Sequence, residues 1–416
     1  MKTLVISSSF PYPIDLGRKV VMAGYLEFLC REFGPENVTY ATADTDCMKP
    51  PMDFRVVQLP IAHPFRRMAT VAWQGALAQR TPMQEAMFSN PQAHGIIAEL
   101  LSAERPDVLL VDTVRMAQYA EPAAERVRRR VMHLDDLYSL RYRRILDLLR
   151  HHPELRLDAV GSFARFLPPA LARMARAGQK ELLLLESGLL RRREIWAAKA
   201  FDRALLLNDE ETRMLTRSSG SDRVETIRPL IKRPARRARR YSREPAFLFL
   251  GSFTLPANVH SLSAFLDALP AVFEQIPRAK ILVVGKNAHN GIRAKARRYG
   301  DRVRFLDYVA DISEVMSTAA AMVAPISFGT GIKMKVLDAL AHGLPLVSTS
   351  AGIDGTGITP GREALVSDDL GEYPELLSAL LDPGVNDRMS QACLDLYESD
   401  YSPEAVAQQY RQIFMS

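Results

Sequence analysis

Short apolar runs alternate with longer segments of helical periodicity along most of this chain of 416 residues. In the second half the runs include Ala246–Gly251, Lys280–Gly285 and Ala321–Ala324, and a helical pattern follows each of them. Runs that are apolar throughout are typical of strands covered on both faces. Strands that alternate with helices form parallel sheets with crossover helices. The sequence therefore predicts a doubly wound α/β fold.

The alternation falls into two stretches separated by a basic segment. A chain of this length exceeds what one hydrophobic core usually organises, so two domains are expected. The run Lys232–Arg243 is dense in arginine and contains Pro234, which is typical of a linker. We predict a first domain over 1–230, a basic linker over 231–245, a second domain over 246–400 and a terminal helix over 401–416.

Composition excludes several classes of protein. The chain is 47% hydrophobic and 25% charged, which is ordinary globular usage and not that of a disordered or fibrous protein. No window reaches the 18 or so apolar residues that a membrane span needs. The three cysteines are too few and too scattered for a disulfide framework or a cysteine zinc site. We expect a cytoplasmic protein in a reducing compartment.

Charge is unevenly divided within the net +6. Residues 246–416 contain 14 Lys and Arg against 19 Asp and Glu, which leaves 40 against 29 for residues 1–245. A basic half suggests an anionic neighbour, such as nucleic acid, acidic lipid or a phosphorylated substrate. Nucleic acid is disfavoured, because no basic stripe with interleaved aromatic residues and no helix-turn-helix or zinc-finger spacing is present.

Two stretches of the first half mix large apolar and basic residues, namely Phe163–Phe166 and Leu189–Trp196. Such a mixture is typical of a helix that lies on an anionic membrane. The alternative is a helical bundle that covers the first domain. Peripheral contact with the inner face of a membrane is thus one of two interpretations.

The segment Ala324–Thr349 is the most informative for chemistry. A strand ends at Pro325, and a loop with Gly329 and Gly331 leads into a helix. The free amides and the dipole of a helix N-terminus attract phosphate, and glycines let the backbone approach a ligand closely. Lys333 would add a point charge, and Asp338 could reach a pair of sugar hydroxyls. The alternative is a tight turn with solvated charges.

This segment resembles the nucleotide-binding signature of family 4 glycosyltransferases, in particular that of bacterial exopolysaccharide and envelope sugar transferases. The signature reads Gly-x-Gly-Ile-Lys-x-Lys-Val-Leu-Glu, and residues 329–338 read GTGIKMKVLD. Residues 249–258, 283–286 and 361–366 extend the resemblance over most of the second half. It implies the GT-B fold, in which two Rossmann-like domains face each other across a cleft.

The resemblance also implies roles for residues. It places the ribose-binding carboxylate at Asp338, the donor diphosphate and sugar along Gly329–Lys333, and the nucleobase edge at Tyr308. The implied donor-binding residues are Gly251, Ser252, Asn258, Lys286, Tyr308, Val309, Gly329, Thr330, Gly331, Ile332, Lys333 and Asp338. Ordinary packing of Tyr308 and a helix-capping role for Asn258 are the alternatives.

Two departures from the family pattern concern the donor. Many family members have a glutamate eight positions before the helix carboxylate, where this chain has Thr330. Many also have an arginine and a lysine after the first strand of this domain, whereas Ser252–Asn258 contains neither. The diphosphate charge must then be met by Lys333, by Lys286 and by backbone amides.

Three loops of the first half follow predicted strands: Ser8–Arg18, Thr113–Tyr119 and Val131–Ser139. Ligands of open parallel sheets bind outside the carboxyl ends of the strands, so these loops should converge on one crevice. We assign Gly17, Arg18, Thr113 and Arg115 to the acceptor side. By resemblance His133, Asp135 and Asp136 are the candidate catalytic residues, with a purely structural histidine as the alternative.

The predicted function is transfer of a sugar, of hexose type, from a nucleoside diphosphate donor to a hydroxyl of a glycan, glycolipid or lipid-linked acceptor. The resemblance implies retention at the anomeric carbon.

We expect no cofactor and no metal, because no Asp-x-Asp motif faces this site and Asp44–Asp46 lies in the first domain. A non-catalytic GT-B-shaped protein that binds nucleotide sugars is the alternative. A dinucleotide-dependent oxidoreductase is disfavoured, since no Gly-x-Gly-x-x-Gly follows a strand.

Overall fold

The computed structural model describes residues 1–14, 17–45, 47–123, 126–151, 169–234, 239, 241, 243–309, 311–327 and 331–415. The chain forms two compact units. The first comprises Met1–Leu230 with Ala407–Ser416, and the second comprises Ile231–Val406. The end of the terminal helix therefore belongs to the first unit.

The first unit is built on a seven-stranded parallel sheet with the strand order β3-β2-β1-β4-β5-β6-β7. The strands are β1 (Thr3–Ser7), β2 (Val38–Thr42), β3 (Arg55–Gln58), β4 (Val108–Asp112), β5 (Arg129–Asp135), β6 (Arg203–Leu206) and β7 (Val224–Thr226). The helices are α1 (Gly17–Phe33), α2 (Pro64–Thr70), α3 (Met83–Ala86), α4 (Pro91–Glu104), α5 (Tyr138–His151), α6 (Pro169–Ala177), α7 (Gln179–Ala200) and α8 (Asp209–Ser219). A π-helical segment, Val71–Leu77, continues α2.

The second unit is built on a six-stranded parallel sheet with the order β10-β9-β8-β11-β12-β13. The strands are β8 (Ala246–Leu250), β9 (Lys280–Val284), β10 (Val303–Asp307), β11 (Ala321–Ala324), β12 (Leu346–Ser348) and β13 (Ala364–Val366). The helices are α9 (Pro256–Gln275), α10 (Asn290–Arg297), α11 (Ser313–Thr318), α12 (Met334–Ala341), α13 (Ser350–Ile353), α14 (Tyr373–Ala379), α15 (Pro383–Leu396) and α16 (Pro403–Met415).

Both sheets confirm the predicted doubly wound α/β class. All residues of the inner strands β1, β2, β4 and β11 are buried, as their largely apolar sequences predict. In each sheet the strand order reverses next to the first strand, between β1 and β4 and between β8 and β11. Such a reversal opens a crevice at the carboxyl ends of the two strands, where ligands of this class bind.

The predicted C-terminal helix is present as α16, and its last turns pack on α1. The ring centroid of Tyr410 lies 5.0 Å from that of Tyr25 and 5.3 Å from that of Phe28. Phe414 adds a contact with Tyr25 at 5.9 Å. All four rings are buried, so this aromatic cluster attaches the end of the chain to the core of the first unit.

The segment predicted as a basic linker contains two described arginines that are bonded within the second unit. Arg233 pairs with Glu398 at 3.1 Å and with Glu404 at 2.6 Å. The Arg239 guanidinium donates to the Oδ1 atom of Asn386 at 2.7 Å and to the carbonyl oxygen of Ala319 at 2.5 Å. Burial lowers the pKa of Arg239 to about 10. Arg236, Arg237 and Arg240 lie outside the described residues.

Leu189–Trp196, one of the two candidate membrane stretches, packs inside the first unit. The Arg193 guanidinium bonds to the buried Glu85 at 2.5 Å and lies 3.7 Å from the ring centroid of Trp196. This packing favours the bundle interpretation. Phe163–Phe166, the other stretch, lies outside the described residues. Of the helices that the structure describes, none is long and apolar enough to cross a membrane.

Asn386 on α15 provides a test of how the second unit is held together. Its fully buried amide donates to the carbonyl oxygens of Ala320 and Leu380 and accepts from Arg239. Replacing Asn386 by Ala leaves these groups unsatisfied, so we expect the free energy of unfolding to fall by about 2–4 kcal/mol in urea denaturation. The matched control is Gln391→Ala on the exposed side of the same helix, expected within about 0.5 kcal/mol of wild type. An equally small change for Asn386→Ala would contradict the prediction.

Candidate functional site

The crevice of the second unit is floored by two glycines after β8 and β9. A Cβ atom on Gly285 would lie 1.9 Å from the carbonyl oxygen of Gly251. A Cβ atom on Gly251 would in turn lie 2.8 Å from the Cγ atom of Asn258. Only glycine fits at both positions, because the two loops and the first turn of α9 are in direct contact.

Asn258 joins the loop after β8 to α12. Its Nδ2 atom donates to the carbonyl oxygen of Ser252 at 2.8 Å, and its Oδ1 atom accepts from the Nζ atom of Lys335 at 2.9 Å. The residue lies within the first turn of α9, whose N-cap position is Leu255. The helix-capping alternative for Asn258 is therefore wrong, and the side chain instead positions a cation.

Lys335 is the residue that the sequence analysis missed. Its Nζ atom lies 5.4 Å from the ring centroid of Phe249, and burial, followed by repulsion from Lys333, lowers its pKa to about 7. Among the residues that the structure describes, no carboxylate pairs with Lys335. A partly buried ammonium group without a described counter-ion favours binding of an anion. The available signal was a second lysine in the first turn of a largely apolar helix.

The N-terminus of α12 lies beside these groups. Lys333 occupies the N-cap position without a side-chain cap, and the first turn contains no acidic residue. The Nζ atom of Lys333 donates to the carbonyl oxygen of Gly331, which has a φ of 70°. The amides of this turn are thus free of side-chain caps and suited to an anion. Gly329 and Thr330 lie outside the described residues.

Asp338 lies one turn after Lys335 on α12. Burial raises the pKa of its carboxyl to about 6. Of the described groups, none is hydrogen-bonded to this carboxyl, although the backbone carbonyl of the same residue accepts from the Nδ1 atom of His342 at 2.7 Å. A partly buried carboxylate that lacks described donors is suited to hydroxyl groups of a ligand.

The other predicted donor-side residues are less enclosed. The Nζ atom of Lys286 lies 4.1 Å from the ring centroid of Tyr308, whose side chain is 64% exposed. Lys286 therefore lies over the face of the Tyr308 ring. Ser252 pairs with Thr254 through their hydroxyls at 2.8 Å. Val309 and Ile332 are partly buried against the core of the unit.

The first unit has its own cluster at the carboxyl ends of β1, β4 and β5. Arg18 in the first turn of α1 forms an ion pair with the buried Asp112, which also accepts from the Ser7 hydroxyl at 2.5 Å. Burial raises the pKa of Asp112, but the attraction of Arg18 and His133 and the hydrogen bonds from Arg18 and Ser7 together outweigh it, so the pKa lies below its usual value. Arg18 is thereby fixed as a structural partner at this edge.

The three candidate catalytic residues occupy different environments. His133 is fully buried, its Nδ1 atom lies 3.1 Å from the Tyr25 hydroxyl, and burial lowers its pKa to about 4. Asp136 is buried and bonded to Arg141 at 2.9 Å and 2.6 Å. Asp135 has a left-handed backbone with φ of 69° and a side chain that is 14% exposed. Burial, followed by repulsion from Asp136, raises the pKa of Asp135 to about 7.

The remaining acceptor-side residues lie near this cluster. Thr113 is buried with φ of 65°, and its amide donates to the carbonyl oxygen of His133 at 2.7 Å. Arg115 donates to the Oε1 atom of Gln84 at 2.7 Å and lies 5.1 Å from the ring centroid of Tyr138. Gly17 is the first residue of α1.

No group of three His, Cys, Asp or Glu that could hold a metal ion occurs in the described part of the chain. Asp46, the second carboxylate of Asp44–Asp46, lies outside it. Asp44 is occupied with the protein backbone, because its carboxylate accepts from the amide of Phe10 at 2.9 Å.

Comparisons with known proteins concern mainly the second unit. Residues 244–383 match the family model described as Glycosyl transferases group 1. An uncharacterized 44.6 kDa protein in the cps region of Klebsiella pneumoniae is 28% identical over 130 residues, or 29% of this chain and 33% of that protein. A phosphatidyl-myo-inositol mannosyltransferase of Mycobacterium leprae is 32% identical over 104 residues, or 24% of this chain and 27% of that protein. The chain thus matches about a third of the length of these relatives.

A solved structure covers the whole chain. The crystal structure of Anabaena Alr3699/HepE in complex with UDP and glucose has a TM-score of 0.62 with 12% identity, over 100% of both chains. At this identity the likeness shows the fold. The chain thus has the GT-B fold, and its residues 244–383 are similar to the glycosyl transferases group 1 family.

Proposed function

We propose that this protein is a glycosyltransferase that moves a sugar from a nucleoside diphosphate donor to a hydroxyl acceptor. The observation that carries the proposal is the Lys335 ammonium, held by Asn258 at the crevice of the second sheet without a described carboxylate partner. The family of this domain and the mannosyltransferase relative support the reaction class. The complex of the Anabaena protein with UDP and glucose supports a nucleotide sugar as donor.

In this proposal, Lys335 and the amides of the first turn of α12 bind the donor diphosphate. When the bond to the sugar breaks, negative charge develops on the leaving diphosphate, and preorganised cations and amides stabilise it. Lys335 thus supplies from α12 the positive charge that the sequence lacks between Ser252 and Asn258. Such an arrangement requires no metal ion, so we retain metal independence as part of the proposal.

Asp338 binds the ribose hydroxyls in this arrangement. Its carboxyl lies one helical turn from Lys335 and has no described hydrogen-bond partner, so it can accept from a vicinal pair of hydroxyls. Tyr308, with Lys286 over its ring, follows β10 and is the proposed edge for the base.

For the acceptor side we propose Asp135 as the group that receives the hydroxyl proton. Of the three candidates it combines partial exposure with a pKa near 7, whereas His133 and Asp136 are buried and serve to position it. A glycan, glycolipid or lipid-linked alcohol is the proposed acceptor class, a hexose the proposed sugar and retention the proposed stereochemistry, all on the resemblance to envelope sugar transferases.

Lys335→Met is expected to weaken binding of UDP at least tenfold in isothermal titration calorimetry at pH 7, because the diphosphate loses its buried cation. The matched control is Lys280→Met, since Lys280 is an exposed lysine at the start of β9. Equal affinities of the two variants would remove Lys335 from the diphosphate site. Other nucleoside diphosphates are titrated in parallel. If one of them binds where UDP does not, the proposed base is wrong but the proposed diphosphate site is retained.

UDP binding by the wild type is also expected to depend on pH. A diphosphate stabilises the charged ammonium, so the pKa of Lys335 rises from about 7 in the free protein to a higher value in the complex. Above pH 7 binding therefore takes up a proton, and the affinity falls by up to about tenfold per pH unit. Calorimetry in buffers of different ionisation enthalpy measures this uptake, which should be absent in Lys335→Met.

Asp338→Asn separates the ribose contact from the diphosphate contact. We expect a loss of roughly tenfold in affinity for UDP and little change for inorganic pyrophosphate, which has no ribose. A parallel loss for both ligands would contradict the ribose assignment and indicate that the substitution disturbs α12 as a whole.

Sugar transfer is tested by donor-dependent product formation with a panel of nucleotide sugars and envelope-type acceptors. We expect kcat to increase as pH rises through about 7, because Asp135 accepts a proton only when ionised. Asp135→Asn should lower kcat by about 10²-fold to 10⁴-fold with unchanged UDP affinity, and the exposed Asp53→Asn serves as control. Binding of a nucleotide sugar without product from any acceptor would favour a non-catalytic protein.

A further inference from the structure

An outward-facing apolar face lies on the first unit between β3 and α3. Phe65 is 72% exposed, Trp73 is 67% exposed and Leu77 is 72% exposed. Together with the exposed Ala69 they form what we call the 65–77 face, in which successive members are four residues apart. Three large apolar side chains exposed on one short segment are unusual for a surface that faces only water.

The local helix geometry keeps this face together. α2 runs directly into the π-helical segment Val71–Leu77, so residues 64–77 form one continuous helical run. Residues four apart drift in one direction around an α-helix, and the wider turn of the π-helix reverses that drift. The side chains of the 65–77 face thus remain on the same side of the run.

The opposite side of the run is fixed to the protein. Gly75 is buried, and a Cβ atom there would lie 2.7 Å from the Cγ atom of Met83. Met83 begins α3, where the amides of Met83 and Gln84 donate to the buried Glu186 at 2.7 Å and 2.9 Å. Because the inner side packs this closely, the 65–77 face cannot turn inward without breaking these contacts.

The charged residues in the stretch of sequence that carries the face have a single sign. No Asp or Glu occurs between Asp53 and Glu85, whereas Arg66 and Arg80 flank the face and are exposed. A water-exposed protein partner with ordinary mixed charge would gain little from such a border. Aromatic and leucine side chains bordered by arginine match the boundary between acyl chains and anionic headgroups.

From this combination we propose that the 65–77 face inserts into the interfacial region of a membrane that contains anionic lipid. This contact is independent of the donor site and replaces Leu189–Trp196, which packs inside the first unit, as the place where the basic half meets a membrane. It brings the enzyme to the surface where a lipid-linked acceptor would be found.

The direct test is flotation of the full-length protein with lipid vesicles. We expect binding to vesicles of phosphatidylethanolamine and phosphatidylglycerol and at least tenfold weaker binding to pure phosphatidylcholine. The triple variant Phe65→Ser, Trp73→Ser, Leu77→Ser should lose at least tenfold of the binding. The control is Leu184→Ser, which removes an exposed leucine from α7. Binding by the triple variant equal to that of wild type would overturn the proposal.

Fluorescence locates the contact. The chain has two tryptophans, Trp73 and Trp196, and Trp196 lies under Arg193. In Trp196→Phe the remaining emission comes from Trp73, and anionic vesicles should shift it to shorter wavelength and shield it from acrylamide. The shift should be absent in Trp73→Phe. A shift that persists in Trp73→Phe would place the membrane contact elsewhere and overturn the assignment.

A second copy of this chain is the competing occupant of the 65–77 face. Sedimentation of the wild type and the triple variant without lipid distinguishes a second copy of the chain from a membrane as the occupant of the face. A wild-type dimer that the triple variant loses, together with no binding of the wild type to vesicles, would overturn the membrane proposal. Sugar transfer to a water-soluble acceptor should be unchanged in the triple variant. The outcome of the vesicle-binding test is therefore independent of the outcome of the test of sugar transfer. Reduced vesicle binding by Arg66→Gln, Arg80→Gln would show the electrostatic part of the contact.

Discussion

The hydrogen bond between Lys335 and Asn258 is the interaction on which the proposed donor site depends. It brings a cation from α12 to the loop after β8, and it does so through an amide that cannot neutralise charge. A carboxylate at position 258 would pair with the ammonium and satisfy it within the protein. With asparagine there, the ammonium is oriented while its charge remains available, which is the electrostatic condition for capturing a polyanion.

The first unit treats its buried charges differently. Arg18 is paired with Asp112 and Arg141 with Asp136, and both ion pairs lie at the carboxyl ends of strands. Asp135 is the member of the cluster whose pKa is raised toward neutrality. Paired neighbours restrict its orientation while leaving it able to exchange a proton. The second unit thus leaves the Lys335 charge without a described counter-ion, whereas the first unit pairs the charges that surround one carboxyl group.

The sequence predicted the sheets well because their inner strands are largely apolar, and the loop-to-helix motif at α12 followed from its glycines. The second lysine was missed because a lysine in a helix is usually solvated, and only the contact with Asn258, 77 positions away, reveals its burial. α2 and the π-helical segment were also missed, since their exposed Phe65 and Trp73 contradict the amphipathic pattern used to detect a surface helix. Arg239 was misjudged for a similar reason: its acceptors on Asn386 and Ala319 come from distant parts of the chain.

The glycine pair at the floor of the donor crevice has a mechanical consequence. Gly251 and Gly285 touch through their backbones, so the loops after β8 and β9 cannot shift independently without opening a void or a clash. The loop after β9 also carries Lys286, whose carbonyl oxygen accepts from the amide of Phe253. Any drift in substrate preference achieved by reshaping one loop would therefore have to be accompanied by a compensating change in the other.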